Sequence, residues 1–232
     1  METMDRISPS TKLSDVLETD YSLLNVLLRL GIRLGFGECT VEEACRNTGI
    51  DTDSFLLIAS VYMGDFHYLE ENRNTARSAL DLVKYLRASH SYYMDILLKH
   101  LESLIENLLQ PCTKMQRESI MRFVSEYKEE VKNHFDYEED IVFPYVQSVT
   151  EGKAGGEYSI SKFEEYHNDI DTKLYDLRNI IMKYLPSVCD SNLAVRILFH
   201  LRSLEEDLEK HTVIEDSILI PMVNRLEENA RN

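Results

Sequence analysis

Apolar residues recur at spacings of three and four along most of the chain, in runs long enough for helices of several turns. The first long run lines up Leu80, Val83, Leu86, His90, Met94, Leu97, Leu101, Leu104 and Leu108. The second lines up Ile120, Val124, Tyr127, Val131, His134, Glu138, Ile141 and Tyr145. Ile160, Phe163, His167, Ile170, Leu174, Leu177 and Ile181 form the third, and Ile197, Leu201, Leu204, Leu208, His211, Glu215, Ile218 and Met222 the fourth. Gln110 to Thr113 is a short turn, so the second helix should fold back beside the first. Pro144 lacks an N–H and is expected to kink or end its helix. Glu151 to Gly156 reads as a flexible connection, and Pro186 follows the third helix. Glycines and prolines fall between these patterns. The chain therefore reads as all-α: a four-helix up-down bundle over residues 73–232, preceded by a small N-terminal helical domain over residues 1–72.

Within that N-terminal stretch, Leu13, Val16, Leu17, Leu23, Leu24, Leu27, Leu28 and Leu30 support one or two short helices, broken at Gly31, Gly35 and Gly37. Thr40-Val41-Glu42-Glu43 is a capping box that opens another helix, and Asn47-Thr48-Gly49 closes it. Asp51 or Thr52 opens the next, which carries Phe55, Leu56, Ile58, Ala59 and Tyr62. Two short helices around a glycine turn invite a helix-turn-helix reading. Charge argues against it, because the first 70 residues hold twelve acidic and five basic side chains.

The whole chain of 232 residues has 41 acidic and 25 basic residues, a formal charge of −16. That balance argues against binding to nucleic acid or to an anionic membrane surface. Residues 1–10 lack the apolar core of a secretory signal, and no apolar run approaches the ~20 residues that span a bilayer. The four cysteines, Cys39, Cys45, Cys112 and Cys189, include no Cys-x-x-Cys pair and suit reduced thiols. A cytoplasmic location is the expectation.

The polar members of the long stripes change the picture. Glu138 follows His134 by four residues and Glu215 follows His211 by four; Pro144 and Pro221 each lie ten after their histidine. The two copies are 77 residues apart, and the same offset joins His90 to His167. Residues i and i+4 share a helix face, so an imidazole and a carboxylate can reach one point. One histidine on an apolar stripe is usually a core residue bonded to a carbonyl. Four of them, one per helix and related by one offset, point to ligands, and two carboxylates on buried faces need a cation. Four imidazoles and two carboxylates exceed one tetrahedral zinc. They suit two first-row metals bridged by both glutamates, with two histidines on each. Adding an oxo or hydroxo bridge leaves about one open position per six-coordinate ion. Iron or manganese fits such ligands, and the open positions favour iron with O2 or NO. A ferritin-like site needs Glu-x-x-His on two helices, and here only Glu164 to His167 has that form. His67, His100 and His200 stay outside the set; His200 lies about three turns, ~16 Å, before His211.

His90, His134-x-x-x-Glu138, His167 and His211-x-x-x-Glu215, with the Phe143-Pro144 and Ile220-Pro221 endings, resemble the haemerythrin-like domain over about residues 78–228. The match is best to the subset with four histidine ligands, as in bacterial iron–sulfur cluster repair proteins. Residues 11–65 are similar, more loosely, to the small helical domain that precedes the bundle there. That domain usually carries an adjacent Cys-Cys pair, whereas the matching stretch here, Gly35 to Cys39, has one cysteine. The family also places carboxylates just outside the iron shell, a role that would fall to Glu130, while Tyr166 stands where an acidic residue is usual. The resemblance implies two iron ions and the repair of, or iron supply to, iron–sulfur clusters damaged by oxidative or nitrosative stress. Damaged iron–sulfur proteins would be partners, and NO reduction a further chemistry of the centre. An O2- or NO-binding sensor or carrier that signals through the N-terminal domain without turnover needs the same ligands, and a structural bundle without metal is the remaining alternative.

Overall fold

A computed structural model describes residues 7–72, 79–153, 158–164 and 170–231. The protein is all-α. Among the described residues the sole β element is an isolated bridge between Lys12 and Thr40, and no helix is long and apolar enough to cross a membrane. By contacts the chain divides into two compact units, one of residues 1–89, 144–164 and 212–232, the other of residues 90–143 and 165–211.

The first unit contains α1 (Leu13–Thr19), α2 (Leu23–Arg29), α3 (Val41–Thr48), α4 (Thr52–Met63) and α5 (Phe66–Asn72). The predicted capping box is formed: the Thr40 hydroxyl accepts from the Glu43 N–H, and the Thr40 N–H donates to the Glu43 carboxylate. Gly49 then ends α3 at φ 70°, a conformation that costs a residue with Cβ. Asp51 caps α4, where Phe55, Leu56, Ile58, Ala59 and Tyr62 are all buried as expected. Arg29 is buried too. Its guanidinium donates to the hydroxyls of Tyr62 (2.8 Å) and Tyr85 (3.1 Å), so its donors are used inside the unit. The unit also includes the C-terminal helix, whose buried Glu227 accepts from the Tyr145 hydroxyl (2.8 Å) and the Ile160 N–H (2.9 Å).

Four helical segments build the second unit: the end of α6 (Ala79–Tyr92) with α7 (Leu98–Leu108), then α8 (Lys114–Tyr137), α11 (Ile170–Tyr184) and most of α12 (Ser191–Ile214); the short α9 (Phe143–Thr150) and α10 (Ser161–Glu164) fall between α8 and α11. Thr113 and Gln116 form a second capping box, which starts α8 just after the turn. The core contains Leu101, Ile105 and Leu108 of α7, Val124, Tyr127 and Val131 of α8, Leu174, Leu177 and Ile181 of α11, and Ile197, Leu201, Leu204 and Leu208 of α12.

Among the described residues, three π-helical turns interrupt the long helices, at Tyr93–Leu97, Glu138–Val142 and Glu215–Leu219. In each, an N–H reaches back five residues: Leu98 to Tyr93, Phe143 to Glu138 and Ile220 to Glu215. These turns correct two expectations. Pro144 does not end the helical path, for it is the second residue of α9, and Pro221 is likewise second in α13 (Ile220–Arg231). The wider turn ahead of each proline relieves the clash with the carbonyl four residues back. The extra residue also rotates the stripe. Tyr93 and Leu98 are buried while Met94 and Leu97 are half-buried against the core, and Val142 and Phe143 are buried while Ile141 is exposed.

Candidate metal centre

α8 brings His134 and Glu138 to one face, one turn apart, and the π-turn begins at Glu138 itself. His90 lies near the end of α6 and His211 near the end of α12. Within the second unit these four side chains converge, and all are buried. Nε2 of His134 lies 2.6 Å from Oε1 of Glu138. On the other oxygen, Nε2 of His90 lies 2.9 Å and Nε2 of His211 3.9 Å from Oε2. The two Nε2 atoms of His90 and His211 are 3.3 Å apart. Potential ligand atoms of His90, Glu138 and His211 thus all fall within 4.8 Å of one another.

The carboxylate of Glu138 is fully buried, yet neither oxygen receives an N–H in hydrogen-bonding alignment despite the short approaches. Burial by itself would raise its pKa; the imidazoles of His134, His211 and His90 outweigh that and hold the carboxyl well below the usual carboxylate range. A charged carboxylate ringed by imidazole nitrogens is a donor set with a cation's requirements built in.

The ring of His90 is fixed on three sides. Phe135 stacks on it at 4.0 Å and Phe143 at 5.5 Å, both nearly parallel. Nδ1 of His90 lies 3.0 Å from Oε1 of Glu139. A proton held on Nδ1 would be donated to that carboxylate and would leave Nε2, which faces Glu138 and His211, as the nitrogen that can ligate a cation. Tyr93 packs edge-on against His211 at 5.8 Å, and its hydroxyl donates to the Asp207 carbonyl (3.2 Å). These aromatic walls keep the surroundings apolar, which strengthens charge interactions inside.

Of the six residues expected as ligands, the second unit joins His90, His134, Glu138 and His211. Glu215 is fully buried and sits one turn beyond His211 on the continuing helix, at the head of the third π-turn. His167 lies outside the described residues. Glu130 pairs with Lys173, and the carboxylate that faces a site histidine is Glu139. His100 and His200 meet each other edge-on at 5.5 Å, where burial, His100 and Arg196 push the His200 pKa down. Sequence reasoning missed Glu139 because residue i+1 ordinarily turns about 100° away from its neighbour's face. The sequence signal for the ring stack is that Phe135 directly follows His134 and Phe143 directly precedes Pro144.

The family model of the hemerythrin HHE cation binding domain matches residues 81–223, more than half of the chain. The chain belongs to this family. The matched stretch of the HHE domain begins at Asp81 in α6, ends at Val223 in α13, and contains all six expected ligands. No curated protein and no solved structure matches the chain. The HHE domain makes this a helical, metal-binding protein.

Proposed function

We propose that the centre holds two iron ions and serves the repair of, or iron supply to, iron–sulfur clusters damaged by oxidative or nitrosative stress. What carries the two-ion part is the division of Glu138: one carboxylate oxygen faces His134 and the other faces His90 and His211. A bridging carboxylate needs a position on each side. The 77-residue offset exchanges His90 with His167 and His134 with His211. By that offset, His90 and His211 would hold one ion and His134 and His167 the other, with Glu138 and Glu215 as the carboxylates that would serve both. A bound iron pair would supply one-electron redox change and an open position for O2 or NO. The chain's own contribution is to orient the imidazoles, keep Glu138 ionised and hold the surroundings apolar.

A second reading, an O2 or NO sensor or carrier that signals through residues 1–72, is favoured by the N-terminal thiols. Cys39 and Cys45 are not adjacent, and burial pushes the Cys45 thiol up to about 12. A thiol held protonated at neutral pH is a poor group through which to pass iron.

Anaerobic reconstitution followed by metal analysis and absorption spectroscopy tests the centre: about two iron ions per chain and near-ultraviolet charge-transfer bands are expected, and less than one ion would overturn the proposal. The repair role predicts that an oxidatively damaged iron–sulfur enzyme regains activity with this protein and a reductant, and that His134→Ala or Glu215→Ala abolishes the gain. Reversible O2 or NO binding without that gain would decide for the sensor.

A further inference from the structure

Cys112 and Cys189 are also 77 residues apart, the offset that relates the histidines and glutamates of the two halves. Cys112 closes the turn between α7 and α8, and Cys189 lies in the turn between α11 and α12. Both are free thiols, 7% and 8% exposed, with their Sγ atoms 3.2 Å apart. Their sequence neighbours Pro111, Thr113, Val188 and Asp190 are exposed, so only a thin layer separates the pair from water. Residues equivalent under a two-fold meet only near its axis, and this pair marks where the two turns meet. Closing the gap to the ~2.05 Å of a disulfide moves each sulfur by about half an ångström.

We propose that Cys112 and Cys189 are a modification site at which peroxide forms a reversible disulfide. Both S–H bonds break and one Sγ–Sγ bond forms. The two electrons and two protons pass to hydrogen peroxide, whose O–O bond breaks to give two waters. Burial, with Cys112 alongside, pushes the Cys189 thiol up to about 11. Thiolate is therefore scarce at neutral pH, and the pair responds to sustained oxidant rather than to brief exposure. The bond staples the two turns at one end of the second unit and closes a long loop, which narrows the unfolded ensemble. It lies 22 residues from His134 along α8, about 33 Å, so it acts on the bundle and not on the metal ligands.

The full-length protein, reduced and then exposed to hydrogen peroxide, is digested without reductant and mapped by mass spectrometry. The expected results are a cross-linked peptide joining Cys112 to Cys189, loss of two of the four free thiols, and a rise in Tm of about 5–10 °C. Dithiothreitol should reverse all three, Cys112→Ser should show none, and the iron content should not change. If Cys112→Ser does not fold, Cys189→Ala replaces it, and the peptide map of the unaltered chain decides by itself. Both thiols surviving, single oxidation to sulfinic acid, or bonds to Cys39, to Cys45 or to a second chain would each overturn the proposal.

Discussion

Nδ1 of His90 lies 3.0 Å from the Glu139 carboxylate, and a proton donated there leaves the other ring nitrogen to bind. Glu139→Gln keeps the size of the side chain but lets an amide present its own N–H to the ring, so the tautomer is no longer fixed. Metal affinity should drop by about 10–100-fold, measured by iron titration against a competing chelator. Glu130→Gln should change affinity by less than about twofold, because the Glu130 carboxylate is directed to Lys173. Equal losses in the two variants would refute the role given to Glu139. The convergence of His90, His134, Glu138 and His211 was legible from sequence because a buried polar residue on an apolar stripe is rare and these recur with partners at one offset. The supporting carboxylate was not, since Glu130 satisfies helical periodicity better than Glu139 does.

At the scale of elements, the helices and their caps follow from apolar periodicity and from Thr40, Asp51 and Gly49, and these were legible. The π-turns were not. Spacing of three and four assumes one hydrogen-bond register, and the single extra residue in each turn becomes visible only when Tyr93, Leu98, Val142 and Phe143 turn out buried. At Glu138–Val142 and Glu215–Leu219 a proline follows, but Tyr93–Leu97 has none, so proline is not the common cause. What the three share is a place within one turn of a buried histidine or glutamate. Deleting Asp140 would remove that extra residue and leave Phe143, Val146 and Val149 facing the core in the ordinary register, whereas adding one alanine after Pro144 would rotate everything after it by about 100° and take Val146 and Val149 out. Burying such side chains contributes about 1.5–3 kcal/mol each. In a thermal melt monitored by circular dichroism, Tm should therefore fall by roughly 10 °C with the insertion and by much less with the deletion. Equal falls in the two variants would show that the π-turn does not set the register.

For the whole molecule, metal-free stability should depend on pH through Glu138. Its folded pKa lies below the usual 4.5, so the ionised form stabilises the fold above that value, and the contribution is lost as pH falls toward the folded pKa. Protonating other members of the acidic surplus relieves repulsion and acts in the opposite direction. Comparison with Glu138→Gln removes that background: the Tm difference between the two metal-free proteins should be constant above about pH 5.5 and shrink below pH 4.5. A gap that widens on acidification would reverse the sign argued for this group. Within the first unit, Glu227 acts as a latch. A protease cut ahead of it would leave the Ile160 N–H buried without its acceptor, costing about 1–3 kcal/mol. Damage at the last helix would then be felt some 67 residues upstream, as loosening of the 158–164 segment.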